Sequence, residues 1–249
     1  MITRKSRHEL KLMAEAGRIS ILALQATGAA ACPGVSTLEL DHIAEDIIRE
    51  HGAVSAFKGY LGYPATICAS INDELVHGIP SAERVLSDGD ILTVDVGAIY
   101  QGYVGDNADT FAIGTIDDES QRLIDTTRAA LYAAIDRCVE GNRLGDVSAA
   151  IQATAEEAGY GAVREYCGHG IGAKMHEEPS VPNVGKPGTG PRLRAGMTLA
   201  IEPMLTAGDF RVQVRDDGWT VVTQDGSRCA QIEHTVAIGK DAPLILTVI

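Results

Sequence analysis

Four carboxylates stand inside segments that otherwise read as buried strands, and no other feature restricts the fold so much. Asp95 ends ILTVD, Asp106 lies within YVGDNADTFAI (103–113), Glu202 ends LRAGMTLAIE and Glu233 interrupts CAQIEHTVAI. Runs this apolar face a core on at least one side. An acid placed there loses its hydration, at a cost of several kcal/mol per ion unless something pairs with it.

The chain between Asp95 and Asp106 turns near Tyr100-Gln101-Gly102, and a hairpin about that point sets Asp95 opposite Asp106. Like charges facing each other across a ladder cost up to about 1 kcal/mol at the surface, and more when dry. Such a pair needs a cation, a shared proton or a large pKa shift. On its own it is equally well explained by a solvated face or by turn caps. The second half of the chain breaks this tie. Glu202 and Glu233 are symmetric about Asp217-Gly218, a strong hairpin signal, so strands nested around that turn bring them into one layer. Four carboxylates aimed at one buried place cannot all stay ionised unless multivalent cations neutralise them. Two divalent ions would do so, and a neutral imidazole from His169 completes an Asp-Asp-His-Glu-Glu set for a dinuclear centre.

The rest of the chain reads as α+β. A first helix is predicted from about His8 to Ala30, stopped by Cys32-Pro33-Gly34. Ser36 opens a second, with Glu39 completing a capping box and Gly52 as C-cap. Strand-like stretches follow at 66–71, 91–96 and 103–113, then helical patterns at roughly 119–140 and 146–158, then strands from about 197 to 238. Helices followed by strands, twice, suggest duplicated halves. LSDGDILTVD (86–95) matches LRAGMTLAIE (193–202), and His77-Gly78-Ile79 matches His169-Gly170-Ile171. We expect one catalytic domain over 1–249, with pseudo-repeat halves of about 1–117 and 118–249.

The net charge of −13 argues against a broad polyanion-binding surface. Five scattered cysteines without a C-x-x-C pair fit reduced thiols better than a disulfide framework. The N-terminal stretch ISILALQATGAAAC imitates a signal peptide, but Glu9, Glu15 and Gln25 favour an amphipathic helix, and nothing is long and apolar enough to span a membrane. HEE at 176–178 lacks the second histidine of a helical zinc motif, and the glycines of CGHGIGAKMHEEP argue against a helix.

FKGYLGYPATICASINDELVHGIP, DILTVDVGAIYQGYVGDNADTFAIG, YCGHGIGAKMHEEP, IEPM and DGWTVVTQDGSRCAQIEHT resemble the type I methionine aminopeptidases almost end to end. The resemblance implies the pita-bread fold (peptidase family M24, the creatinase/aminopeptidase architecture): two pseudo-symmetric α+β halves, a central antiparallel sheet, helices outside and metals between the halves. It implies a cytoplasmic, monomeric metalloexopeptidase that removes the initiator methionine from nascent proteins when the second residue is small, with the ribosome a candidate partner and no membrane or specific nucleic acid. Metal-activated hydroxide would attack the first peptide bond. By resemblance, Asp106 and Glu233 bridge the two metals, Asp95 holds one, and His169 with Glu202 holds the other. Glu202 is also a candidate general base. His176 would contact the substrate carbonyl and His77 the amide or second residue of the peptide; the alternative for His77 is a histidine satisfying a turn, and for His169 taken alone a satisfied loop histidine. Glycines 168, 170 and 172 would let the backbone approach the metals in strained conformations.

The same resemblance carries a methionine slot over to Tyr60, Tyr63, Cys68, Met175 and Trp219, for each of which the alternative is plain core packing. Met175 stands where the family more often has phenylalanine, and Val104 where many relatives have histidine. A carboxylate-rich set with one imidazole favours Mn²⁺ or Fe²⁺, with cobalt, zinc and nickel as further candidates. Prolidase-type Xaa-Pro enzymes share the ligands but add a long N-terminal domain, and type II relatives insert a helical subdomain. Only 76 residues precede His77, and the gaps here leave no room for that insertion. A non-catalytic binding protein of the same fold would have lost ligands that this chain retains.

Overall fold

The computed structural model describes residues 2–249. Its first elements are α1 (Arg7–Ala30), α2 (Thr37–Glu50), β1 (Val54–Ser55), a 3-10 turn at Tyr60–Gly62, β2 (Ile67–Ile71), β3 (Glu74–Val76), β4 (Ile91–Tyr100) and β5 (Tyr103–Ala112). There follow α3 (Asp118–Ile135), α4 (Leu144–Ala158), β6 (Gly161–Ala162), β7 (Cys167–Gly170), β8 (Glu177–Pro182), β9 (Thr198–Ile201) and β10 (Met204–Thr206). The chain ends with β11 (Val212–Val214), β12 (Val221–Thr223), β13 (Cys229–Gln231), β14 (His234–Ala237) and β15 (Leu244–Ile245).

Both first helices start where the sequence says they should. Ser6 and Glu9 cap α1 reciprocally, and Ser36 and Glu39 do the same for α2, so two otherwise orphaned amides are satisfied at each start. His51 is the C-cap of α2, and Gly52, at φ +70°, takes the left-handed position after it. The third helix is shorter than expected. It stops at Ile135 because Glu140 N donates to Gly239 O and Val139 bridges Gly239, which pulls 136–140 out of the helical path. The fourth begins two residues early, where the Asp146 carboxylate accepts from Arg143 N at 2.7 Å.

All strand pairs are antiparallel. One sheet is built on the long β4, with β5 along one edge and β1 and β2 on the other; a second runs β15-β14-β9-β7-β8. Helices α1 and α2 cover the first sheet through Ile19, Leu24, Leu40 and Ile48 against Leu92, Val94 and Val96. Helices α3 and α4 cover the second through Leu123, Leu131, Val147 and Ile151 against Leu199, Ile201 and Val236. The α1–β5 contact is tight: a Cβ on Gly105 would lie 2.3 Å from Gly17 N. The two sheets meet along an edge, where β5 of the first runs beside β13 and β14. All five cysteines are free, and among the described residues no helix is long and apolar enough to cross a membrane.

The first hairpin corrects the expected register. Its two-residue turn is Gln101-Gly102, both at positive φ (47° and 83°), which matches the right-handed strand twist. The turn is centred one residue later than expected, so Asp95 opposes Ala108 and Asp106 opposes Gly97. The shift is by two positions, so both acids keep one face and sit diagonally rather than directly opposite. The second hairpin has the expected register: Thr198 pairs with Ala237, Met204 with Gln231 and Val212 with Thr223, all symmetric about Asp217-Gly218.

Candidate active site

The two hairpins are joined side by side. Thr235 Oγ1 accepts from Asp106 N at 3.0 Å and donates to Asp106 O at 2.8 Å, and Glu233 N donates to Ala108 O at 2.9 Å. Thr110 Oγ1 donates to Gln231 O at 2.8 Å. These bonds hold Asp106 and Glu233 next to each other although 127 positions separate them in the chain. β7 pairs with β9 (His169 against Ala200), which brings His169 alongside Glu202. His169 Nε2 lies 3.7 Å from Glu202 Oε1 and 3.9 Å from Asp106 Oδ2. Its Nδ1 faces the Gly170 carbonyl at 2.9 Å and donates to it, so the Nε2 lone pair points at the acids.

The electrostatics are those of carboxylates crowded together out of water. Burial pushes Asp95 up to about 7. Burial raises Asp106 well above the usual carboxylate range, and Glu233 and Asp95 add to it. Glu202 and Glu233 are raised for the same reasons, burial first and neighbouring carboxylates second. Burial lowers His169 to about 4, with His176 contributing, so its imidazole is neutral. Asp95 Oδ1, Asp106 Oδ1 and Glu233 Oε1 are sealed from solvent with no hydrogen-bond partner. Buried acceptors are almost always satisfied, and one left bare costs about 1–3 kcal/mol or more. Ligand atoms of Asp106, His169 and Glu233 lie within 4.8 Å of one another. Orphaned anionic oxygens beside a neutral imidazole lone pair fit divalent cations, and among the described residues only His169 lies within ion-pair distance of these acids.

All twelve residues singled out in the sequence line a single cavity of about 480 Å³, together with Phe57 and Leu61. Tyr63 packs edge-on against Trp219 (5.1 Å between ring centres), and its hydroxyl is directed at the Ile67 and Gly78 carbonyls, which ties it to β2 and to the turn at His77. Cys68 pairs with Asp95 across β2 and β4 and so sits beside the acids. His77 adopts φ +61°, uncommon for a residue with a Cβ, and stands edge-on to Trp219 and Tyr166. Burial lowers it to about 4, with His176 contributing. His176 sits at the mouth, its ring 4.2 Å from that of His169 and its Nδ1 2.9 Å from the Tyr60 hydroxyl.

The role expected for the glycines needs correcting. Gly168, Gly170 and Gly172 are not in left-handed conformations. An added Cβ would meet Ala200 O at 2.4 Å, Glu178 O at 2.2 Å and Lys5 Cε at 2.3 Å respectively, so Gly168 and Gly170 serve close packing of β7 on its neighbours and Gly172 leaves room for Lys5 against the following loop. Sequence reasoning also missed Gln231. Its buried amide nitrogen donates to Glu202 Oε2 at 3.2 Å and Glu233 Oε2 at 3.4 Å, spending two N–H groups on two acids that repel each other. The available signal was period-2 alternation, which puts Gln231 on the same strand face as Glu233. A shallower groove of about 520 Å³ between α3 and α4, lined by Asp118, Arg122, Asp125 and Glu157, gathers no comparable ligand set.

The model of metallopeptidase family M24 matches residues 11–240. A methionine aminopeptidase of Clostridium acetobutylicum is 52% identical over 99% of both chains. The crystal structure of methionine aminopeptidase from Thermotoga maritima superposes with a TM-score of 0.98 at 46% identity, covering 99% of each chain. A prolidase from Pyrococcus furiosus shares the fold at TM-score 0.79, but with 21% identity and over only 65% of that longer chain. The match to the first two runs through both halves and both acid-bearing hairpins, and by it this chain belongs to metallopeptidase family M24, among its methionine aminopeptidases, with the pita-bread fold.

Proposed function

We propose that this enzyme hydrolyses the first peptide bond of proteins and peptides that begin with methionine, preferring a small second residue, and that it does so with two divalent ions held by Asp95, Asp106, His169, Glu202 and Glu233. The observation that carries this is the meeting, in one cavity, of partnerless buried carboxylate oxygens with an aromatic and sulfur-lined slot. Asp106 and Glu233, adjacent and from different hairpins, would hold both ions; the hard oxygen-rich set favours Mn²⁺ or Fe²⁺. When bound, such ions acidify water and polarise a carbonyl.

The remaining work falls to side chains. Tyr63, Cys68, Met175 and Trp219 hold the methionine thioether, a flexible polarisable chain suited to aromatic walls. Glu202, which lines the cavity within reach of His169, takes the proton of the attacking water and returns it to the leaving amine. The Tyr60 hydroxyl donates to His176 Nδ1, which leaves Nε2–H to donate to the scissile carbonyl oxygen as it gains charge. His77, kept neutral, contacts the amide of the second residue. The substrates are nascent chains in the cytoplasm, met by a monomer.

A Met-Gly-Ser peptide and an Xaa-Pro peptide, each assayed with Mn²⁺ and with chelator, test this reading. Methionine release from the first, lost with chelator and restored by Mn²⁺, is expected. Cleavage of the Xaa-Pro peptide alone would overturn it.

A further inference from the structure

Thr3 to Lys5 belong to no part of the site described so far, yet they grip the loop that carries two of its members. Residues 171–176, between β7 and β8, have no regular structure and include Met175 and His176. Glu177, the first residue of β8, follows directly. Its Oε2 accepts from Lys5 Nζ at 2.6 Å and from Thr3 Oγ1 at 2.8 Å, and its Oε1 from Lys174 N at 3.3 Å. The Lys5 and Glu177 side chains are only 6% and 14% exposed. A lysine is rarely so covered unless it is paired.

The strap itself is fixed at both ends. Lys5 N donates to Gly196 O at 2.6 Å, Arg4 Nε donates to Ala195 O at 2.8 Å, and Ser6 caps α1. Gly172 makes room for the pair, since a Cβ there would lie 2.3 Å from Lys5 Cε and 2.6 Å from Glu177 Oε1. Glu177 follows His176 directly, so the grip on its carboxylate holds the backbone from which the His176 ring enters the cavity. Its other tie is Tyr60, on a turn whose next residue, Leu61, is itself at positive φ.

We infer that Lys5, acting through Glu177, is a positioning residue for His176, and that the N-terminal strap sets how this imidazole meets the substrate carbonyl. The inference rests on the peptidase reading above. Displacing a catalytic group by about 1 Å can cost a hundredfold in rate, so a buried tether next to His176 is well placed to matter.

The test compares Lys5→Met and Lys5→Arg, in the wild-type and His176→Ala backgrounds, on a Met-Gly-Ser peptide with Mn²⁺. Melting temperature and Mn²⁺ stoichiometry by calorimetry are read alongside. Lys5→Met is expected to lower kcat about ten- to a hundredfold with KM nearly unchanged and full Mn²⁺ stoichiometry. Lys5→Arg, which keeps the charge, should recover most of the rate. In the His176→Ala background Lys5→Met should have no further effect, because the group it positions is gone. An equal loss of kcat in that background, or a folded Lys5→Met enzyme with wild-type kcat, overturns the inference. If Lys5→Met does not fold, the milder Glu177→Gln takes its place with the same outcomes. If the wild-type enzyme releases no methionine, the peptidase reading fails, and the tether is judged separately by histidine-labelled NMR. The His176 ring signals should then move in Lys5→Met and stay put in Lys240→Met; no movement in either overturns it.

Discussion

The two acid-bearing hairpins are built differently. In β4–β5, ten successive residue pairs run without a break from Ile91–Ala112 to Tyr100–Tyr103, and Asp95 and Asp106 are simply two positions on its inner face. The hairpin from Thr198 to Ala237 keeps a single register but is cut into three short ladders, and the first cut falls at Glu202-Pro203 and Ile232-Glu233. Where the ladder is cut, Glu233 N is free to bond across to Ala108 O of the other hairpin. The regular hairpin presents its carboxylates by alternation alone. The broken one gives up two rungs and gains a join to its neighbour, so the acids from both converge.

Removing a carboxylate at the join should have the largest effect. Asp106→Ala or Glu233→Ala removes a carboxylate at the point where the hairpins meet, and we expect no methionine release above background and loss of Mn²⁺ binding by calorimetry. Normal turnover in either variant would mean that convergence of the hairpins is not what makes the site. A smaller loss should follow Gln231→Leu, which leaves all five ligands but strips the amide from between Glu202 and Glu233. Outer groups that orient ligands typically contribute ten- to a hundredfold in affinity, so Mn²⁺ binding should weaken by about that factor. An unchanged affinity would show that the broken hairpin holds its acids without help.

The smallest effect is a pH dependence of stability in metal-free protein. The four acids bind protons more tightly folded than unfolded, so they stabilise the fold below the ordinary carboxylate range, and that contribution is lost as pH rises; for Asp95 the window runs from about 4 to about 7. Divalent ions bind the deprotonated ligands and act in the opposite sense. The gap in melting temperature between Mn²⁺-loaded and chelated protein should therefore widen as pH rises through that window. A constant gap would mean that the acids are not held against one another.

Much of this was legible because charge inside an apolar strand has few explanations. Asp95, Asp106, Glu202 and Glu233 stood out for that reason, and the Asp217-Gly218 turn placed the second pair in register. The first pair was misplaced by two positions because Tyr100-Gln101-Gly102 accommodates a turn centred on either side of Gln101. The parity of the strand kept the face right. Alternation gave the face of Gln231 but not its partners, and Lys5 was not legible. A buried glutamine or lysine looks like an exposed one until its partners, Glu202 and Glu233 or Glu177, are known to be close.

Local chemistry therefore determined the elements and the inward faces: capping boxes at Ser6 and Ser36, alternation along the strands, turns at Gln101-Gly102 and Asp217-Gly218. Tertiary structure alone decided which distant segments touch. Thr235 against Asp106, Gln231 between two acids and Lys5 beneath Glu177 are contacts across more than a hundred residues or between two separately folded strands. No local preference encodes them, because the free energy that selects them is gained only when both cores have closed and the water between them is gone.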